Sequence, residues 1–163
     1  MKIQKIEEKN WVGILEIQDS AYHEVGLEEL EVLKSKQSAS PDTCFVCVSD
    51  RDDVLGYLLA HPWSGNEPPK LFEPLPDVVD SDSIFLHDMA VDPHSKGQGI
   101  GRSMMEVLIK VSVRKGVKRI ILVAVQDASR FWSLLGFKEI LGANLYPGYG
   151  KNAVLMEKVL TAS

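Results

Sequence analysis

The stretch HSKGQGIGRSMM, residues 94–105, places Gly97, Gly99 and Gly101 at every second position, with Lys96 ahead of them and Arg102 behind. Glycine loses more backbone freedom on folding than any other residue, so three in five residues mark a loop where bare backbone comes close to something. An apolar run precedes this loop and a helical pattern follows it. The first N–H groups of a helix have no intrahelical acceptor and carry the positive end of the helix dipole. Glycines that let such a backbone wrap around an anion make a phosphate site. A P-loop needs Lys-Ser or Lys-Thr after its last glycine, and Gly101 is followed by neither. A dinucleotide loop of the form G-x-G-x-x-G has its third glycine one residue later and an acidic residue ending the next strand, which here ends at Val125-Gln126. The third type, the basic-x-x-G-x-G loop of a diphosphate-bearing acyl carrier, fits Lys96, Gly99 and Gly101.

Two other groupings carry chemistry. His87 and Asp88 are adjacent in the apolar run SIFLHDMAV. A regular strand sends neighbours to opposite faces, so one of the two is expected to face a site; a bulge would change which. Cys44 and Cys47 have C-x-x-C spacing. In a strand, residues three apart point to opposite faces, and no second Cys or His pair stands at zinc spacing. They read as small apolar strand residues in a reducing cytosol.

The elements that must position these residues follow from periodicity. Residues 2–6, 43–49, 54–61, 83–91, 118–125 and 152–160 read as strands, and FKEI (137–140) opens another. Segments 43–49 and 54–61 form a hairpin across the DRDD turn. Helices are expected over 10–22, with Asn10 as N-cap, and over 27–37. A third, from Ile100, repeats apolar residues at Met104, Val107, Leu108 and Val111 and stops at Gly116. A short one spans 127–135. The order lacks the regular alternation of a doubly wound fold and implies an α/β chain of the α+β kind, a mixed sheet flanked by helices. Residues 62–82 hold five of the eight prolines and form a long loop, in which Leu71, Phe72 and Leu75 either make a lid or anchor the loop to the core.

The bulk properties bound the rest. A chain of 163 residues, 45% hydrophobic and 25% charged, fits one globular domain over 1–163. The net charge of −5 is the wrong sign for a nucleic-acid footprint. The basic cluster VRKGVKR (113–119) reads as charge complementing a helix end. No signal peptide and no membrane span is visible, which points to a cytoplasmic protein with no membrane partner.

HDMAVDPHSKGQGIGRSMM resembles motif A of the GNAT N-acetyltransferases: an apolar strand, a [RQ]-x-x-G-x-[GA] loop, then an amphipathic helix. DASRFWSLLGFKEI resembles motif B of the same family through Ala128, Phe131, Trp132, Gly136 and Phe137. The motifs stand in order, one helix and one strand apart, and the resemblance covers nearly the whole chain. It implies the acyl-CoA N-acyltransferase fold, with a mostly antiparallel sheet. It also implies acetyl-CoA as acyl donor without a metal, and an amine acceptor on a small molecule or a protein. Members often form homodimers.

Carried over residue by residue, Met89, Ala90 and Val91 would offer backbone groups to the pantetheine arm where two strands splay apart. Lys96, Gly97, Gln98, Gly99, Ile100 and Gly101 would hold the pyrophosphate, with Arg102 adding charge. Ser129, Phe131 and Trp132 would flank the cofactor's far side. Amine attack on a thioester needs a base and favours a proton donor for the leaving thiolate. His87 is the candidate base. The family's usual motif B tyrosine is Trp132 here, which makes Tyr146 and Tyr149 the candidate acids. Lys96 stands where arginine or glutamine is usual, a point charge in place of a planar fork. Two other readings stay open: a non-catalytic acyl-CoA-binding or regulatory domain, and a nucleotide-binding module using the same loop. HPW (61–63) either lines the acceptor pocket or simply leaves the strand.

Overall fold

Seven strands build one sheet in the computed structural model, which describes residues 1–22, 27–75, 81–143, 145, 147–150 and 152–160. They are β1 (Lys2–Lys5), β2 (Cys44–Val48), β3 (Val54–Pro62), β4 (Ser83–Val91), β5 (Arg119–Ala124), β6 (Lys138–Glu139) and β7 (Val154–Val159). Their order across the sheet is β1-β2-β3-β4-β5-β7-β6. Neighbours are antiparallel except β4 and β5, which run parallel. A parallel pair needs a crossover, and α3 (Ile100–Arg114) supplies it. The other helices are α1 (Trp11–Ala21), α2 (Leu30–Ala39) and α4 (Ser129–Leu134).

The helices cover both faces of the sheet. On one face, Ile100, Met104 and Leu108 of α3 and Trp132 of α4 pack on Leu58, Leu86 and Leu122. On the other, Trp11 and Ile14 of α1 and Leu33 of α2 pack on Val46, Tyr57 and Leu59. A strand covered on both sides reads as continuous apolar sequence, and all five residues of β2 are buried. Cys44 and Cys47 accordingly fall in opposite cores and are free thiols. Burial pushes the Cys44 thiol up to about 12.

Two local expectations change. Asn10 precedes α1 but does not cap it with its side chain; its Oδ1 instead accepts the Glu7 N–H at 2.7 Å, closing the preceding 3-10 turn. The second helix starts at Leu30 and not at residue 27. The Gln18 side chain explains this, because its Oε1 accepts the Glu28 N–H at 2.9 Å and its Nε2 donates to the Glu28 carbonyl at 3.1 Å. With its backbone groups held this way, residue 28 stays in the α1–α2 connection.

The feature that shapes the site is in β4. Leu59 pairs with Asp88 but Ala60 pairs with Leu86, so His87 is an extra residue on β4, a β-bulge. Before it, Ile84 and Leu86 face α3; after it, Met89 and Val91 do. Pairing between β4 and β5 ends at Leu86 and Leu122, although both strands continue. The sheet therefore opens immediately beyond the bulge.

Candidate active site

A cavity of about 730 Å³ fills the opening between β4 and β5. Met89, Val91 and Leu122 line it from the α3 face, and Asp88, Ala90, Val123 and Val125 line it from the α1 face. A cavity walled by both faces passes through the sheet, so two ligands can meet in it from opposite sides.

The glycine loop forms the α3-side mouth. Gly97 and Gly99 have φ of 85° and 75°, the left-handed region where a side chain is strained. Gly101 is helical, and its glycine is spatial: a Cβ there would stand 3.3 Å from the Met89 methyl and 3.5 Å from the Phe131 ring. The first helical bond of α3 runs from Ser103 N–H to the Gly99 carbonyl at 3.0 Å. The N–H groups of Ile100, Gly101 and Arg102 therefore have no intrahelical carbonyl, and all three residues line the cavity. Lys96 and Arg102 are exposed cations on the same rim. This backbone and charge arrangement fits a pyrophosphate. Phe131 and Trp132 close the wall with edge-on rings 5.0 Å apart. Two predicted cofactor residues fall outside the cavity lining: Gln98 is exposed, and Ser129 is half-buried at the start of α4.

The opposite mouth is built from distant segments. The bulge brings His87 and Asp88 to the same face, against the expectation that only one would turn inward. The His87 ring is fully buried, with Nε2 2.5 Å from Glu28 Oε1; its Nδ1 has no partner among the described residues. Glu28 Oε2 accepts the Phe72 N–H at 2.9 Å and lies 3.9 Å from Nζ of Lys36, itself fully buried. Burial alone would raise the Glu28 carboxyl, but His87, Lys36 and the Phe72 N–H outweigh it and hold it below its ordinary value. Burial lowers Lys36 against the pull of Glu28.

Asp88 is the second carboxylate here. It accepts hydrogen bonds from the Tyr22 hydroxyl and, at 2.7 Å, from that of Tyr57. Burial pushes its carboxyl up to about 6, although both phenols and His87 oppose the rise. Tyr22 also donates to the Met89 carbonyl at 3.2 Å, so one predicted pantetheine-facing backbone group already has a protein partner. Tyr149 lines the cavity, and its hydroxyl donates to the Pro69 carbonyl at 2.5 Å. Burial raises the Tyr149 phenol. Tyr146 lies outside the described residues. His61 does not line the cavity; burial pushes it down to about 3, and its Nδ1 lies 3.0 Å from the Pro62 carbonyl.

Tyr22, Glu28, Lys36 and Tyr57 were not legible as site residues. Glu28 and Lys36 sit in LEEL and KSKQ, within the segment expected as the second helix. No local signal distinguishes them.

A mixed sheet opened between its parallel strands, with a glycine loop starting the crossover helix, defines the acyl-CoA N-acyltransferase fold. The model of the acetyltransferase (GNAT) family matches residues 11–137. The chain belongs to this family, and it is an acyltransferase. No curated protein sequence matches it. Among solved structures it is similar to Ard1 from Thermoplasma volcanium, with a TM-score of 0.77 at 14% identity over 98% of this chain and 97% of that one. It is also similar to the ribosomal-protein-S18-alanine N-acetyltransferase from Escherichia coli, with a TM-score of 0.67 at 19% identity over 99% and 95% of the two chains. A third, Rv2747 from Mycobacterium tuberculosis in complex with CoA, gives a TM-score of 0.73 at 18% identity over 99% and 100%. At these identities the likeness is one of fold.

Proposed function

We propose that the chain moves an acetyl group from acetyl-CoA to a primary amine by direct attack on the thioester. The observation that carries this reading is the through-sheet cavity, with an anion cradle at one mouth and proton acceptors at the other. Acetyl-CoA, when bound, supplies the electrophilic carbonyl and the leaving thiolate. The N–H groups of Ile100, Gly101 and Arg102 hold its pyrophosphate, with charge from Lys96 and Arg102 and close backbone approach at Gly97 and Gly99. Gln98 and Ile100 shape the loop. Met89, Ala90 and Val91 run beside the pantetheine arm on the opened strand. Phe131 and Trp132 bound it on the far side, and Ser129 stands behind them.

His87 takes the amine's proton in this reading. A Glu28 carboxylate that accepts from Nε2 keeps a proton on that nitrogen and leaves Nδ1, which a turn of the ring brings to the cavity, to accept the amine's proton. Asp88 supports a second assignment, since it faces the same space and burial pushes its carboxyl up to about 6. Tyr149 serves as donor to the leaving sulfur by exchanging Pro69 for it. The acidic chain and its free thiols suit the cytoplasm.

Calorimetric titration with acetyl-CoA, CoA, ATP and NAD is the first test, followed by thioester cleavage with added amines. Binding of the CoA compounds alone, with amine-dependent cleavage, is the expected result. Equal binding of ATP would favour a nucleotide module, and CoA binding without cleavage would favour a regulatory domain. His87→Ala, Asp88→Asn and Tyr149→Phe then separate the proton-transfer roles: the variant that removes the acidic limb of kcat/KM against pH identifies the base.

A further inference from the structure

In residues 69–75 of the long β3–β4 connection, Leu71 lines the α1-side mouth, and four fastenings hold the segment in place. The Tyr149 hydroxyl donates to the Pro69 carbonyl at 2.5 Å. The Phe72 N–H donates to Glu28, Nζ of Lys36 donates to the Glu73 carbonyl at 3.0 Å, and the Leu75 N–H donates to Ser35 Oγ at 3.1 Å. Phe72 pays for this path with a φ of 67°, unusual for a residue with a side chain. Such strain persists only where surroundings over-determine it, and it concentrates at ligand clamps. Leu71, next to it, is buried against Tyr149, Val123 and Val125.

We propose that this strap is the wall that selects the acceptor, and that the acceptor is a small primary amine carrying an apolar substituent. The inference rests on the acetyl-transfer reading and names its substrate class. The two sides of the mouth differ in chemistry. Asp88 and Glu28 face an amine head group on one side, while Leu71, Val123, Val125 and the Tyr149 ring offer an apolar wall on the other. Among the described lining residues the cations are Lys96 and Arg102, both at the opposite mouth, in the glycine loop and the first turn of α3. Lys36, the cation beside Glu28, is fully buried and does not line the cavity, so among the described residues an acceptor's carboxylate meets two carboxylates and no accessible cation, which selects against it. A diamine sends its second charge against Leu71.

The test is acetyl-CoA cleavage by the whole protein with the n-alkylamines from ethylamine to hexylamine, alongside putrescine, alanine and a pentapeptide with a free α-amine. The expected result is a rise in kcat/KM of about fourfold per methylene until the wall is covered. Leu71→Asn flattens that slope and Leu71→Met restores it. A flat series in the unaltered protein overturns the inference, as does faster turnover of putrescine, alanine or the peptide than of hexylamine. Because the series needs no variant, a Leu71→Asn protein that fails to fold leaves the test intact. No cleavage with any amine overturns the acetyl-transfer reading itself; cleavage with a flat series overturns this inference alone.

Discussion

The two mouths of the cavity are built in opposite ways. On the α3 side, strand end, glycine loop and helix start follow one another over residues 89–102, and α4 adds the remaining wall. On the α1 side, hydrogen bonds join residues separated by 44 positions (Phe72 to Glu28), 59 (His87 to Glu28), 66 (Tyr22 to Asp88) and 80 (Tyr149 to Pro69). Holding a pyrophosphate needs bare N–H groups in a fixed curve, which one contiguous segment can provide. Selecting an acceptor needs side chains that converge from several elements. The first mouth should therefore fail through its backbone, and the second through the buried charges that tie it together.

The largest effect is expected at Glu28. Glu28→Ala leaves a fully buried Lys36 without its carboxylate and removes the acceptor for both His87 Nε2 and the Phe72 N–H. Removing one partner of a buried pair costs about 3–5 kcal/mol, because the other charge stays buried. Urea unfolding at pH 7 measures this loss. A loss below about 1 kcal/mol would mean that the α1-side mouth holds together without its central carboxylate.

Asp88 tests the same mouth with the opposite sign. The Glu28 pKa is lowered on folding, so its contribution is present above the ordinary 4.5 and is lost as pH falls through its folded value. The Asp88 pKa is raised from the ordinary 3.8 to about 6, so the folded state holds that proton more tightly. Stability from Asp88 therefore falls as pH rises from about 4 to 6 and is level above that, a cost of about 3 kcal/mol. Asp88→Asn keeps an oxygen for one phenol and cannot ionise. Its stability relative to the unaltered protein should climb by that amount between pH 4 and 7 in urea titrations. A constant difference would show that Asp88 ionises as freely in the folded state as in the unfolded chain.

The α3-side mouth is tested at Gly101. Gly101→Glu puts a Cβ against Met89 and Phe131 and a negative charge among the N–H groups. Acetyl-CoA affinity should fall about 100-fold, near 2.7 kcal/mol, while the unfolding midpoint moves little. Unchanged affinity would remove the cradle from the cofactor site.

The difference between the mouths also decides what was legible in the sequence. The apolar period of α3 and the runs of the central strands mark the fold to within a residue or two, because each reports local burial. The glycine loop is legible because its positive-φ and close-approach positions are contiguous in the sequence. The α1-side mouth depends on two things that periodicity does not carry. One is the extra residue at His87, which reverses the facing of every later position in β4 while leaving SIFLHDMAV readable as a single strand. The other is the pairing of Gln18 with Glu28, which takes an acidic residue out of a helical pattern and turns it inward. Tyr149 was legible only as a loop tyrosine near the site; its bond to Pro69, in a segment read only as irregular loop, was not.

The smallest effect is expected at Lys96. If backbone N–H groups do most of the holding, an exposed side-chain cation on the rim adds little. Lys96→Ala should weaken acetyl-CoA binding by only a few-fold, and the difference should shrink as salt rises from about 0.05 to 0.5 M, because exposed charges are screened over a Debye length of about 10 Å at 0.1 M. Lys96→Arg, which supplies the planar fork that the family more often has here, should change affinity by less still. A loss on Lys96→Ala as large as that on Gly101→Glu, and insensitive to salt, would reverse the argument. The cradle would then be held by a side chain, and the glycines would serve the turn alone.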